Sequence, residues 1–143
     1  MMLANEIPKG DQMIKSDHIA VWVTDIEKQK AFYQKHFNAK QNSLYINKQK
    51  SYRSYFLTFD SSSRLEIMQR SDVQPVLKDS VEQEFIGFAH LAFSVGSEER
   101  VEKLTQQLEL DGYRCISVTR RTKDGYYESV ILDPENNRVE ITA

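Results

Sequence analysis

A single cysteine, Cys115, in a chain of 143 residues excludes an intrachain disulfide and any zinc site built from several thiolates. Set in the run RCISV, it reads as a small buried hydrophobe rather than a nucleophile. No apolar stretch approaches the roughly 20 residues of a membrane span, and the opening MMLANEIPKGDQM lacks the apolar stretch of a signal peptide. A cytoplasmic protein with no membrane partner is expected. An excess of one charge is missing too. Lys+Arg number 19 against 21 Asp+Glu, which gives no field to attract nucleic acid or an anionic surface and leaves a small molecule as the expected partner.

Periodicity divides the chain into two similar halves. Ile19, Val21 and Val23 recur at period two in a first strand, and Thr24 with Glu27 has the spacing of a capping box, which predicts a helix with Ile26, Phe32, Tyr33 and Phe37 inward and an end near Asn38. Three strands are expected next, over Gln41–Ile46, Tyr52–Phe59 and Arg64–Met68. A polar stretch containing Pro75 reads as a linker, about 70–86. The order then repeats. His90–Val95 alternates as a strand, Ser97 caps a helix carrying Val101, Leu104 and Leu108, Gly112 stops it, and strands are expected over Tyr113–Val118, Tyr126–Leu132 and Arg138–Ile141. One α+β domain over 1–143 is predicted, with modules at about 16–70 and 86–143.

Within each module the same chemistry sits in the same place. Alternation turns Ile19, Val21 and Val23, or Leu91, Phe93 and Val95, toward the helix, so His18 and His90 project from the opposite face. Glu66, flanked by Leu65 and Ile67, and Glu140, flanked by Val139 and Ile141, obey the same rule at nearly equal spacing from the histidine. Taken singly, each of the four reads equally well as a polar residue on a solvated strand. Repeated together, two imidazoles and two carboxylates suit a borderline divalent ion such as nickel, cobalt, zinc, manganese or iron, with positions left open for catalysis.

The segments DHIAVWVTDIEKQKAFYQKHF, RLEIMQ, AHLAFSV and LDPENNRVEIT resemble the vicinal oxygen chelate superfamily, which unites glyoxalases, bleomycin resistance proteins and dioxygenases. The resemblance runs from about Ser16 to Ala143. It implies paired βαβββ modules whose curved mixed sheet wraps a metal-binding cleft, often in a homodimer, with His18, Glu66, His90 and Glu140 as ligands. That set matches the glyoxalase I-like pattern of His, Glu, His, Glu. Extradiol dioxygenases and fosfomycin-modifying transferases lack a ligand at the Glu66 position, methylmalonyl-CoA epimerases usually carry Gln there, and bleomycin-binding relatives lack the set.

What the resemblance implies about activity is a metal-dependent lyase or isomerase that moves a proton through a metal-stabilised enediolate, with Glu140 as base, Glu66 as its near-symmetric counterpart, and nickel or cobalt favoured. The alternatives are an epimerase-like or thiol-transferring enzyme, or a protein that sequesters a small ligand. Lactoylglutathione lyase has an arginine where Trp22 stands and an asparagine where Arg70 stands, so a small carbonyl compound or thiol adduct other than the glutathione one is expected. Arg53, Arg120 and Arg121 are candidate grips for an anionic substrate, and Trp22, Tyr52, Met68 and Tyr127 are candidate pocket walls.

Overall fold

The structure, a computed structural model, describes residues 14–76 and 81–143. The lead-in 1–13 and positions 77–80 of the expected linker lie outside the described residues. The first half comprises β1 (His18–Trp22), α1 (Ile26–Phe37), β2 (Lys40–Gln41), β3 (Tyr45–Asn47), β4 (Tyr52–Phe59) and β5 (Ser61–Gln69). In the second half β6 (His90–Ser94) leads to α2 (Glu98–Leu110), β7 (Cys115–Arg121), β8 (Tyr127–Leu132) and β9 (Arg138–Thr142). Two mixed sheets result, ordered β1-β5-β4-β2, with β3 also on β4, and β6-β9-β8-β7. In each, the first strand lies parallel to the last and forms an outer edge, while the other pairings are antiparallel.

The apolar stripes explain the layers. Ile26, Gln29, Phe32, Tyr33, His36 and Phe37 recur at helical spacing and are the buried residues of α1, covering Leu57, Leu65 and Ile67. In α2, Val101, Thr105 and Leu108 are buried, and the Thr105 hydroxyl is satisfied by the Val101 carbonyl at 2.6 Å and the Ser129 hydroxyl at 2.7 Å. Removing a ring such as that of Phe32 from this core would cost roughly 3–5 kcal/mol. Gly112, at φ +92, supplies the left-handed residue that turns the chain out of α2.

Two local expectations are corrected. The expected strand Gln41–Ile46 is broken into β2 and β3, because the Asn42 side chain takes the Phe56 N–H at 2.9 Å and draws the chain out of the ladder. The helix is capped by Asp25, whose carboxylate accepts from the Lys28 N–H at 3.0 Å, and not by Thr24. Thr24 is otherwise engaged. Its N–H and hydroxyl, with the Asp25 N–H, donate to the Glu135 carboxylate from the β8–β9 turn of the other half, at 2.8–2.9 Å.

That contact belongs to a polar lock between the halves. Asp133, buried in the same turn, accepts from Gln29 Nε2 at 2.6 Å, the Tyr33 hydroxyl at 2.9 Å, the backbone N–H groups of Glu135 and Asn137, and the Asn137 amide. Burial pushes the Asp133 carboxyl up, against these donors, which favour its charged form. Around the lock, Phe93 packs on Phe37 and Phe59 with ring centres 4.6 and 4.9 Å apart, and Phe32 meets Tyr113 at 4.7 Å. The helix-side faces of both halves therefore share one core, and the opposite face of each sheet is left open.

Candidate metal centre

The open face of the first sheet carries His18, Ala20 and Trp22 on β1, Glu66 and Met68 on β5, and Tyr52, Ser54 and Phe56 on β4. Parallel register sets Ala20 beside Glu66, so the His18 ring reaches along the strand to bring Nε2 within 3.3 Å of Glu66 Oε2. The second sheet repeats this arrangement. Ala92 lies beside Glu140, and His90 Nε2 is 3.3 Å from Glu140 Oε2. The four residues thus form two equivalent pairs. Their sheets share no strand pairing, and among the described residues no three His, Cys, Asp or Glu side chains converge as a metal-binding group.

The surroundings of the first pair suit a cation. Asp17 Oδ2 lies 2.6 Å from His18 Nδ1 and 2.6 Å from an Arg64 guanidinium nitrogen, and these hydrogen bonds, from His18 first, hold the Asp17 carboxyl below its usual range. With Nδ1 turned to Asp17, the ring presents Nε2 to the Glu66 carboxylate, which sets one nitrogen and one oxygen donor side by side. The Tyr52 hydroxyl donates to the other oxygen, Glu66 Oε1, at 2.7 Å and fixes the carboxylate's orientation. Phe56 stands edge-on to His18, 5.1 Å between ring centres. Imidazole nitrogen with carboxylate oxygen is a donor set for a borderline divalent ion.

The second pair has different neighbours, one of which the sequence reading missed. Glu128 on β8 is buried against Glu140; burial chiefly, then the hydrogen bond to Glu140 and its charge, raises the Glu128 carboxyl, while Arg120, 3.5 Å away, opposes the shift. A lone carboxylate within the otherwise apolar and small run YESVIL, two residues from Val130, which pairs with Glu140, was the available signal. The corresponding position on β4 is Ser54.

Three expected contacts fall elsewhere. Tyr127 is on the helix side, donating to Glu102 of α2, because β8 presents the opposite parity from the one expected. Arg53 and Arg121 also lie there, paired with Glu27 and Glu98. Arg120 is on the open face. Trp22, 41% exposed, carries the Arg70 guanidinium 4.9 Å from its ring centre and Tyr52 edge-on at 6.1 Å. It borders a groove of about 790 Å³ whose walls include Gln69, Arg70, Pro75, Glu135 and Asn137.

Residues 15–141 match the sequence family described as Glyoxalase/Bleomycin resistance protein/Dioxygenase superfamily. The Bacillus subtilis (strain 168) protein YqjT is 26% identical over 133 residues, covering 88% of this chain and 96% of its own length. Among solved structures, a glyoxalase family protein from Enterococcus faecalis superposes with a TM-score of 0.71 at 21% identity, over 90% of this chain and 97% of that one. The fosfomycin resistance protein FosX from Listeria monocytogenes gives 0.70 at 21% identity, over 92% and 94%. At such identities the structural likeness is one of fold.

Proposed function

Because the chain belongs to the Glyoxalase/Bleomycin resistance protein/Dioxygenase superfamily, we propose that it is a metal-dependent lyase or isomerase of glyoxalase type, acting on a small carbonyl compound or thiol adduct. The observation that carries this reading is the duplicated His–Glu pair, 3.3 Å apart in each half at the same register. A single pair is too few ligands for a transition metal, and among the described residues the two pairs of one chain do not converge. The site is completed in a homodimer, His18 and Glu66 of one protomer facing His90 and Glu140 of its partner. Support comes from β1 and β6, which are edge strands among the described residues, and from the apolar side chains of Ile86 and Phe88, fully exposed and lining one cavity with them.

His18 and His90, with Glu66 and Glu140, would hold the ion, and Asp17 orients the His18 ring. Nickel or cobalt is favoured. The bound ion supplies Lewis acidity, polarising a substrate carbonyl so that the adjacent C–H becomes acidic. Each carboxylate has one polar neighbour, Tyr52 at Glu66 and Glu128 at Glu140; Glu140 is assigned as the base that takes the proton and returns it to the neighbouring carbon, with Glu66 its near-symmetric counterpart. The exchange is an isomerisation, balanced without oxidant or reductant. Open-face side chains of both sheets, Trp22 and Phe56 among them, exclude water from the reacting carbons.

Metal analysis of the purified dimer, joined to a panel of 2-oxoaldehyde thiol adducts and acyl-CoA thioesters followed in deuterated water, tests this. Stoichiometric transition metal and solvent deuterium in an isomerised oxoaldehyde adduct are expected. Protein that binds small ligands without metal would instead be a sequestering relative, and net addition of a thiol would assign it to group transfer.

A further inference from the structure

The open face of the first sheet carries more aromatic surface than metal binding requires. Trp22, the sole tryptophan, is 41% exposed and Tyr45 55% exposed, with Tyr52 between them, edge-on to both at 6.1 and 5.9 Å. Large exposed rings in contact with one another mark a binding surface more strongly than scattered ones. The cluster is joined directly to the candidate metal centre, because the same Tyr52 donates to Glu66 at 2.7 Å. Trp22 lies beside Met68, two residues beyond the Ala20–Glu66 pair, or about 7 Å along the strand. A ligand with its reacting end at Glu66 therefore reaches the indole with a group attached directly or through one or two atoms.

The charges around the indole select among possible groups. A tryptophan flanked by tyrosines is a natural seat for a ligand cation, but the Arg70 guanidinium already occupies that seat, 4.9 Å from the ring centre. A ligand anion is opposed differently: Arg70 Nε is 2.5 Å from Asp72 Oδ1, so the positive charge is already partnered. An uncharged flat ring meets neither obstacle, and gains ring–ring contact that an alkyl group of equal area lacks.

We infer that the substrate is an aryl-bearing, uncharged carbonyl compound whose ring lies against Trp22 and Tyr52 while its carbonyl end is held at His18 and Glu66. The inference rests on the metal reading only for where the reacting end sits. Titration calorimetry with benzohydroxamate and acetohydroxamate tests it, since these two chelators differ by phenyl against methyl. Each is titrated into nickel-loaded and metal-free protein.

Benzohydroxamate is expected to bind about tenfold tighter than acetohydroxamate. The preference should survive Trp22→Phe and shrink to within about twofold in Trp22→Ala. Trp22 is half-exposed, so neither variant empties the core. Equal affinities in the wild type, or a full preference in Trp22→Ala, would overturn the inference. Nickel should tighten both chelators together; if it tightens neither, the metal reading fails while the phenyl-to-methyl ratio still decides the role of Trp22.

Discussion

If each chain offers two ligands to each of two centres, damage to one half of a chain can be repaired by an intact half of another. Consider one chain carrying His18→Ala and Glu66→Gln, and a second carrying His90→Ala and Glu140→Gln. Each homodimer then has two centres with two ligands apiece. Losing a charge-assisted contact costs roughly 1.5–3 kcal/mol, so losing two weakens metal binding by about two to four orders of magnitude. The heterodimer differs: one centre keeps all four ligands and the other keeps none. Co-expression with two different affinity tags isolates it, and metal content after exhaustive dialysis should be about one ion per heterodimer, against about two in the wild type and none in either homodimer. The altered side chains lie on open faces outside the shared core, and thermal melts of all three species should be close. A heterodimer that holds no more metal than its parents, or a wild-type protein that is monomeric yet fully loaded, would refute the pairing of centres across chains.

Three further outcomes follow from particular contacts. Tyr33→Phe keeps the packed ring but removes one of the donors to buried Asp133, and urea denaturation should show a loss of roughly 1.5–3 kcal/mol. Tyr52→Phe frees Glu66, and metal titration should show a weakening of about 10- to 100-fold with little change in stability. Burial holds His36 below its ordinary value of 6.5, with Lys35 adding to the shift and Asp111 opposing it. Its neutral form is the one the fold favours, so this contribution is intact above pH 6.5 and is lost as the pH falls through the lowered value. His36→Gln should flatten that part of the stability profile.

Alternation along strands made the strand face of most candidate site residues legible. With Val21 and Val23 against the core, His18 had to face the other way, and the same rule placed His90, Glu66 and Glu140; Ile19, expected inward as well, is exposed near the start of the edge strand. The rule misplaced Tyr127, because an error of one residue in strand parity exchanges the two faces. Glu128 was hidden for a related reason: its meaning depends on lying beside Glu140, and strand pairing is a long-range property. Thr24 read as a helix cap on local spacing, but Glu135, more than a hundred residues away, claimed its hydrogen bonds. Sequence also could not reveal that the two His–Glu pairs of one chain stand apart, since that is settled by how Asp133 and the Phe93 ring dock the halves.

The docking also bears on the repeat itself. Each half has its own sheet and helix, which invites the view that either one stands alone. Cut between them, the first half would expose Phe32 and Phe37 and leave Gln29 and Tyr33 without their acceptor; the second would expose Phe93 and hold Asp133 in a turn stripped of two donors. Neither fragment is expected to fold as a self-sufficient unit. Mixed together, the fragments should recover structure jointly, and a gene encoding one half could persist only by associating with its own copy along the surface that the second half now occupies.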